Sequence, residues 1–143
     1  MAPPLLIGRK EYLDFPEWGV RHVRAKVDTG AFRSALDVDG YELRPGDDGV
    51  TVARMRLVLN RRHPERFVLV ETPVLRTVVV CNTSGTRQER PLIETLVRLG
   101  PVEKRIRLTV ANRDGLRYRM LLGREALTGS FIVDVREKYL LRQ

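Results

Sequence analysis

Asp28, Thr29 and Gly30 stand directly after the run "VRHVRAKV". In that run Val23, Ala25 and Val27 share one face, while His22, Arg24 and Lys26 share the other. Alternation at period two is the pattern of a half-buried strand, so the strand delivers one carboxylate out of the core at its end. Thr29 can hydrogen-bond backbone groups and hold a turn there. Gly30 permits positive φ and the close approach of another backbone. A carboxylate so placed is oriented and partly desolvated, which suits an acid or base in proton transfer. The same three residues also suit an ordinary Asx turn after a strand.

A second segment bears on the choice. In "YRMLLGREAL", 118–127, the apolar strand Met120 to Leu122 ends in Gly123 and enters a short helix through Arg124. Such a strand can pass behind the Asp28 turn, with Gly123 leaving the space. Asp-Thr-Gly-Ala followed much later by apolar-apolar-Gly-Arg resembles the retropepsin-like aspartic proteases, in which the two segments interleave to support the catalytic turn. A narrower resemblance covers almost the whole chain. The runs "RAKVDTGAFRSAL", "NTSGTRQERPLIET" and "LTVANRDGLRYRMLLGREALTGSFIVDVREKYLL" are similar to the retropepsin-like family known as ATP-dependent zinc proteases. That family is associated with RimK-type ATP-grasp ligases, which add glutamate to protein C-termini.

The resemblance implies a peptidase that trims glutamate-rich tails, with an ATP-grasp ligase as partner. It implies Asp28, Thr29 and Gly30 as the catalytic turn and Leu122, Gly123 and Arg124 as its support. Ala31 and Arg33 would meet the substrate, as would Ser84, Gly85, Glu89 and Arg90 from a polar hairpin, "CNTSGTRQER", at 81–90. Phe32 and Arg33 depart from the family, which commonly has a small or basic residue followed by Thr. The pocket lining therefore differs here.

Aspartic proteolysis needs two carboxylates that share one proton. This chain has one Asp-Thr-Gly; Asp14 and Asp134 also have apolar neighbours but lack the Thr-Gly. A homodimer with its two-fold axis beside Asp28 supplies the second carboxylate. The terminal run "KYLLRQ" is expected to add strands to a sheet shared by the two subunits.

The elements that must position these residues follow from the rest of the sequence. The chain has 143 residues, enough for one domain over 1–143. It is 43% hydrophobic but only 6% aromatic, so its core rests on Val, Leu and Ile. Alternation recurs in Ala53, Met55, Leu57 and Leu59, in Ile93, Thr95, Val97 and Leu99, and in Val102, Lys104, Ile106, Leu108 and Val110. "VLRTVVV", 74–80, is nearly continuous, as expected of a strand covered on both faces. Turn signals stand between the runs at 37–40, 44–49, 82–85 and 112–115. The expected fold is all-β, a retropepsin-like closed barrel with one short helix near 124–128, ended at Gly129.

One cysteine, Cys81, excludes an internal disulfide and a four-cysteine zinc site, and it reads as a buried, quiet thiol. The start shows no signal-peptide pattern, and a cytoplasmic location is the default expectation. His22, His63 and Cys81 have no metal-ligand spacing, and no Gly-rich phosphate loop occurs, so no metal and no cofactor is assigned. A net charge of +8 favours a polyanionic partner. Arg21, Arg24, Lys26 and Arg33 flank the Asp28 turn, whereas aromatics for base stacking are few, which ranks an acidic peptide above nucleic acid. A non-catalytic peptide- or partner-binding module, a metallohydrolase with ligands converging in space, and a nucleic-acid-binding barrel stay open on sequence alone.

Overall fold

The structure is a computed structural model of the chain and describes residues 3–81, 84–112 and 117–141. Its strands are β1 (Leu5–Gly8), β2 (Lys10–Phe15), β3 (Val20–Val27), β4 (Ser34–Asp37), β5 (Gly40–Pro45), β6 (Thr51–Val58), β7 (Phe67–Pro73), β8 (Arg76–Cys81), β9 (Arg87–Leu99), β10 (Val102–Ala111), β11 (Met120–Leu122) and β12 (Phe131–Asp134). The single α-helix among the described residues, α1, is Arg124–Leu127. The expected short helix is present and stops before Gly129, which turns with φ 80°.

Strands β10, β4, β11, β3, β2 and β9 pair in that order, and β9 pairs back with β10, closing a barrel of six strands. Closure removes the free edges that an open sheet leaves unpaired. The alternating runs supply its interior: Leu13, Phe15, Val23, Ala25, Ile93, Val97, Leu99, Ile106, Leu108 and Val110 are buried. β5, β6 and β7 form a separate three-stranded sheet, whose Ala53, Met55 and Leu57 join the same core. Leu59 lies past the end of β6 and is exposed, so the inward alternation stops at Leu57.

Lys104 sits on the inward-reading face of β10, and the structure supplies the reason. Its Nζ donates to the Ala126 carbonyl at 2.7 Å and to Ser130 Oγ at 2.9 Å, tying the end of α1 to the barrel. Burial pushes its ammonium below the ordinary lysine range.

Two sequence expectations fail. β8 is not covered on both faces: it hangs on β9 alone at the edge of the sheet, with Val79 exposed and Val78 and Val80 half-buried. Continuous apolar character here belongs to an edge hairpin, not a central strand. Cys81, at the end of that strand, is exposed and not buried. The turn signals at 82–83 and 113–115 lie outside the described residues. Among the described residues no helix is long and apolar enough to cross a membrane.

The chain ends are held by one acid. Glu11 is 1% exposed, and its carboxylate accepts the Gly8 N–H at 2.7 Å, the Leu140 N–H at 2.9 Å and the Leu141 N–H at 3.1 Å. Residues 137–141 consequently fold back on their own barrel and form no strand. In the single chain the Tyr139 N–H of "KYLLRQ" donates to the Lys10 carbonyl, and the next two amides go to Glu11. Glu11→Ala would orphan three N–H groups in a buried place, each costing about 1–3 kcal/mol. A loss of roughly 3 kcal/mol in urea unfolding is expected, with faster hydrogen exchange at Leu140 and Leu141. An unchanged midpoint would mean that the carboxylate does not hold the terminus.

Candidate active site

Asp28 follows the last residue of β3, and its position is set by backbone bonds from two remote parts of the chain. β11 runs parallel to β3, pairing Met120 with Ala25 and Leu122 with Val27. The Asp28 N–H continues that ladder by donating to the Leu122 carbonyl at 2.8 Å. On the other side the Val27 N–H donates to the Arg9 carbonyl at 2.9 Å. The turn is then closed internally. Asp28 Oδ1 accepts the Gly30 N–H at 3.1 Å, and the Asp28 carbonyl accepts the Ala31 N–H at 3.2 Å.

Gly30 is not among the residues with positive φ, so the expected left-handed conformation is absent. A Cβ there would sit 3.3 Å from Asp28 Oδ1, close enough to press on the carboxylate that the turn orients. Thr29 is exposed, and the turn is held by the Asp28 carboxylate and main-chain bonds in place of its hydroxyl.

The segment after the turn is tied to the start of α1. The Ala31 carbonyl accepts the Arg124 N–H at 2.8 Å, and the Phe32 carbonyl accepts the Glu125 N–H at 2.9 Å. Arg124 Nη1 donates to the Thr29 carbonyl at 3.0 Å. These are the N-terminal amides that a helix cannot satisfy internally, here spent on a neighbouring loop. Gly123 donates its N–H to Ser34 Oγ at 3.0 Å, inside the core. Leu122, Gly123 and Arg124 are thus each bonded to the segment from Asp28 to Ser34. The space at Gly123 is occupied by the Phe32–Arg33 backbone and not by the Asp28 turn: a Cβ would come within 2.5 Å of the Arg33 carbonyl oxygen.

Asp28 is half-exposed, and the Gly30 backbone N–H is the one hydrogen-bond partner of its carboxylate among the described residues. One oxygen is oriented and the other is left for solvent or substrate. The two other aspartates considered are committed elsewhere. Asp14 Oδ1 accepts the His22 N–H at 2.9 Å at a bulge between β2 and β3, where His22 adopts φ 61°. Asp134 binds Arg136, whose hydrogen bonds hold the Asp134 carboxyl below the ordinary range.

Beside the turn the surface is cationic and apolar together. Phe32 is 51% exposed, and the Arg33 and Arg124 guanidinium carbons lie 5.8 and 5.9 Å from its ring centre. Arg33 also approaches Glu125 at 3.8 Å. In the sequence Phe32 stood out only as a departure from the family pattern; a bulky aromatic directly before Arg33 was the available signal.

Ser84, Gly85, Glu89 and Arg90 come from the β8–β9 hairpin, where Cys81 pairs with Arg87. Gly85 turns with φ 83°, which glycine adopts without strain. Glu89 is exposed, but Arg90 is buried, its Nε donating to Gln88 Oε1 at 2.9 Å. Arg90 lines a small cleft with Asp37, Tyr118, Arg119 and Leu121. The structure therefore gathers Asp28 through Arg33 with Leu122, Gly123 and Arg124, and of the hairpin set Arg90 reaches a cleft shared with Ala35 and Leu121. Among the described residues no three His, Cys, Asp or Glu side chains cluster in metal-binding fashion.

Gly123→Ala would press a methyl group into the Phe32–Arg33 backbone. An expected cost of about 2–3 kcal/mol follows from overpacking a rigid contact, with displaced backbone amide shifts at Asp28 to Arg33. Chemical unfolding and amide NMR spectra measure both; wild-type values in the variant would remove Gly123 from the support.

Comparison with known proteins bears on the family and the fold. A protein named probable alpha-L-glutamate ligase from Desulfotalea psychrophila is 35% identical over 132 residues, covering 90% of this chain and 28% of that protein. A protein of the same name from Parasynechococcus marenigrum is 35% identical over 139 residues, covering 94% of this chain and 28% of its own length. The chain thus spans less than a third of the curated relatives it matches. A Legionella pneumophila crystal structure, Lpg0085, of unknown function, superposes with a TM-score of 0.81 at 20% identity, over 98% of this chain and all of that one, and shares the fold. Residues 6–143 match the RimB-like family, described as the retropepsin-like aspartic endopeptidase RimB, and the chain belongs to that family.

Proposed function

We propose that the protein is an aspartic peptidase that works as a homodimer, with Asp28 of each subunit forming the catalytic pair. The observation that carries this is the Asp28 turn itself. Its backbone is locked between β3 and β11, its neighbours are bonded to α1, and one carboxylate oxygen is left uncommitted.

The dimer is supported by what surrounds the turn. β1 and β12 form a two-stranded parallel sheet in which Leu6 pairs with Ile132, and these two side chains are 50% and 55% exposed. Arg9 joins that sheet to the turn, since its carbonyl accepts from Val27 and its Nη1 donates to the Val135 and Arg136 carbonyls, each at 3.3 Å. A two-fold contact burying Leu6, Ile132 and Phe32 would shield apolar surface next to Asp28 and bring the two carboxylates together.

In the step proposed, the ionised member of the pair takes a proton from water while the protonated member gives its proton to the scissile carbonyl oxygen. The water oxygen bonds to carbon, giving a gem-diol. The first carboxyl then protonates the amide nitrogen, and a diol hydroxyl returns its proton to the second. The C–N bond breaks, and the pair is back to one shared proton. The pair titrates as a unit.

The substrate we infer is a glutamate-rich peptide or protein C-terminal tail. Arg33 and Arg124 beside Phe32 and the formal net charge of +8 favour it, as do relatives named as glutamate ligases. A functional link to an ATP-grasp ligase that builds such tails follows from the same names. Ser84, Gly85, Glu89 and the rest of the β8–β9 hairpin would close over the bound chain.

The test is to incubate the protein with a glutamate-tailed peptide and follow shortening by mass spectrometry. Asp28→Asn is expected to lower turnover by about 100- to 10,000-fold. Titrating wild type with excess Asp28→Asn subunits should extinguish activity through mixed dimers. Activity that is indifferent to the mixing would show that each subunit works alone. Binding without any cleavage, unaffected by Asp28→Asn, would make the chain a peptide-binding module with Asp28 as a turn residue.

A further inference from the structure

On the far end of β3 from Asp28 the barrel wall carries a hollow of about 350 Å³. It is lined chiefly by Arg24, Arg61, Arg117, Arg119, Asn60 and Tyr12, and among the described residues no carboxylate lines it. The floor is built, not merely charged. The Arg119 side chain is 10% exposed, with Nη2 2.9 Å from Asp39 and Nη1 3.5 Å from Asp37, while its buried Nε has no hydrogen-bond partner. Arg61 approaches the same Asp37 at 3.4 Å. At the rim, Arg24 and Arg117 meet no carboxylate among the described residues. Arg24 contacts the Tyr139 hydroxyl at 3.3 Å, and both guanidiniums lie against the Tyr118 ring, at 5.0 and 5.8 Å. Among the described residues, two acids thus compensate two of four arginines, and the buried Arg119 Nε has no acceptor.

Arg24 of the hollow and the Asp28 turn lie on one face of β3. Arg24 and Lys26 alternate with the buried Val23 and Ala25 and so face outward, in step with Asp28. Across the antiparallel pair, Lys10 stands opposite Lys26 and Tyr12 opposite Arg24, on the same face. Lys10 also reaches the Tyr118 ring, its Nζ 5.2 Å away. Arg24 is four residues from Asp28, about 13 Å along an extended chain.

We propose that this hollow is an anchoring subsite for side-chain carboxylates of an acidic peptide, gripping the chain about four residues from the bond that is cut. The inference rests on the peptidase reading and adds to it where the substrate's charge is recognised. Guanidinium forks suit carboxylates, which they bind through paired charge-assisted hydrogen bonds. Nucleic acid fits less well, because the aromatic faces that would stack bases are engaged. Tyr12 is stacked on His22 at 3.8 Å and on Tyr139 at 4.9 Å, and Tyr118 is covered by three cations.

The experiment measures binding separately from turnover. In an Asp28→Asn background, a fluorescein-labelled peptide ending in six glutamates is titrated by fluorescence anisotropy, beside its glutamine counterpart and a single-stranded RNA of six nucleotides. Arg24→Gln with Arg117→Gln is expected to weaken the glutamate peptide by about 100-fold, from the loss of two charge-assisted contacts. The glutamine peptide should bind weakly with or without the substitutions. Arg24→Lys with Arg117→Lys, which keeps both charges, should recover part of the affinity, separating recognition from misfolding. Where the wild-type protein cleaves, the Gln pair should raise KM with kcat nearly unchanged. Unchanged affinity in a folded Gln pair, or tighter binding of the RNA lost by the same substitutions, overturns the proposal. Retained charge-dependent binding with no cleavage by wild type leaves the subsite standing and removes the peptidase reading alone.

Discussion

The Asp28 turn depends on a crossing of two chain segments that are almost a hundred residues apart in sequence. The Leu122 carbonyl takes the Asp28 N–H, and the amides of Arg124 and Glu125 take the carbonyls of Ala31 and Phe32. Each bond is modest in isolation, about 1 kcal/mol net. Their value lies in geometry. A loop bonded at both ends to barrel strands and to the start of a helix has little freedom left, so the carboxylate direction is set before any ligand arrives. Gly123 makes this possible by allowing backbone to touch backbone.

The barrel exists around that crossing. Closure through β9 and β10 leaves the six strands without a free edge, which makes β3 and β11 rigid enough to present a turn. Glu11 and Lys104 complete the frame in opposite ways. The acid gathers three backbone donors from both ends of the described chain, and the base spends its protons on the end of α1. Glu11 is buried and Lys104 half-buried, and hydrogen bonds offset the cost of taking each from water.

Charge is distributed to match. The interior face of β3 is apolar, and its exterior face runs from Arg24 through Lys26 to Asp28, the residue directly after the strand. The alternation that buries Val23 and Ala25 therefore also lays cations in a line toward the turn. Fold and electrostatics come from one pattern read on two faces.

Much of this was legible in the sequence. Period-two runs identified β3, β6, β9 and β10 and most of their inward residues, because burial on one face imposes alternation whatever the topology. The Asp-Thr-Gly and Leu-Gly-Arg segments were legible because few residues satisfy a tight turn and a close backbone crossing. Less legible were positions whose environment depends on absent neighbours. "VLRTVVV" looked buried and is an edge, since pairing partners are not written in a strand's own residues. Cys81 looked quiet and is exposed for the same reason. Arg61, Arg117 and Arg119 stood in unrelated stretches, and only the folded barrel brings them to Arg24. By itself the sequence determined which residues face inward and where the chain must turn, because those depend on local geometry and solvent. Tertiary structure alone decided what meets what: that Gly123 lies on Phe32 and Arg33, that Glu11 holds the terminus, and that four arginines share one hollow. Contacts between distant segments are settled by strand order and register, which the residues of any one segment do not encode.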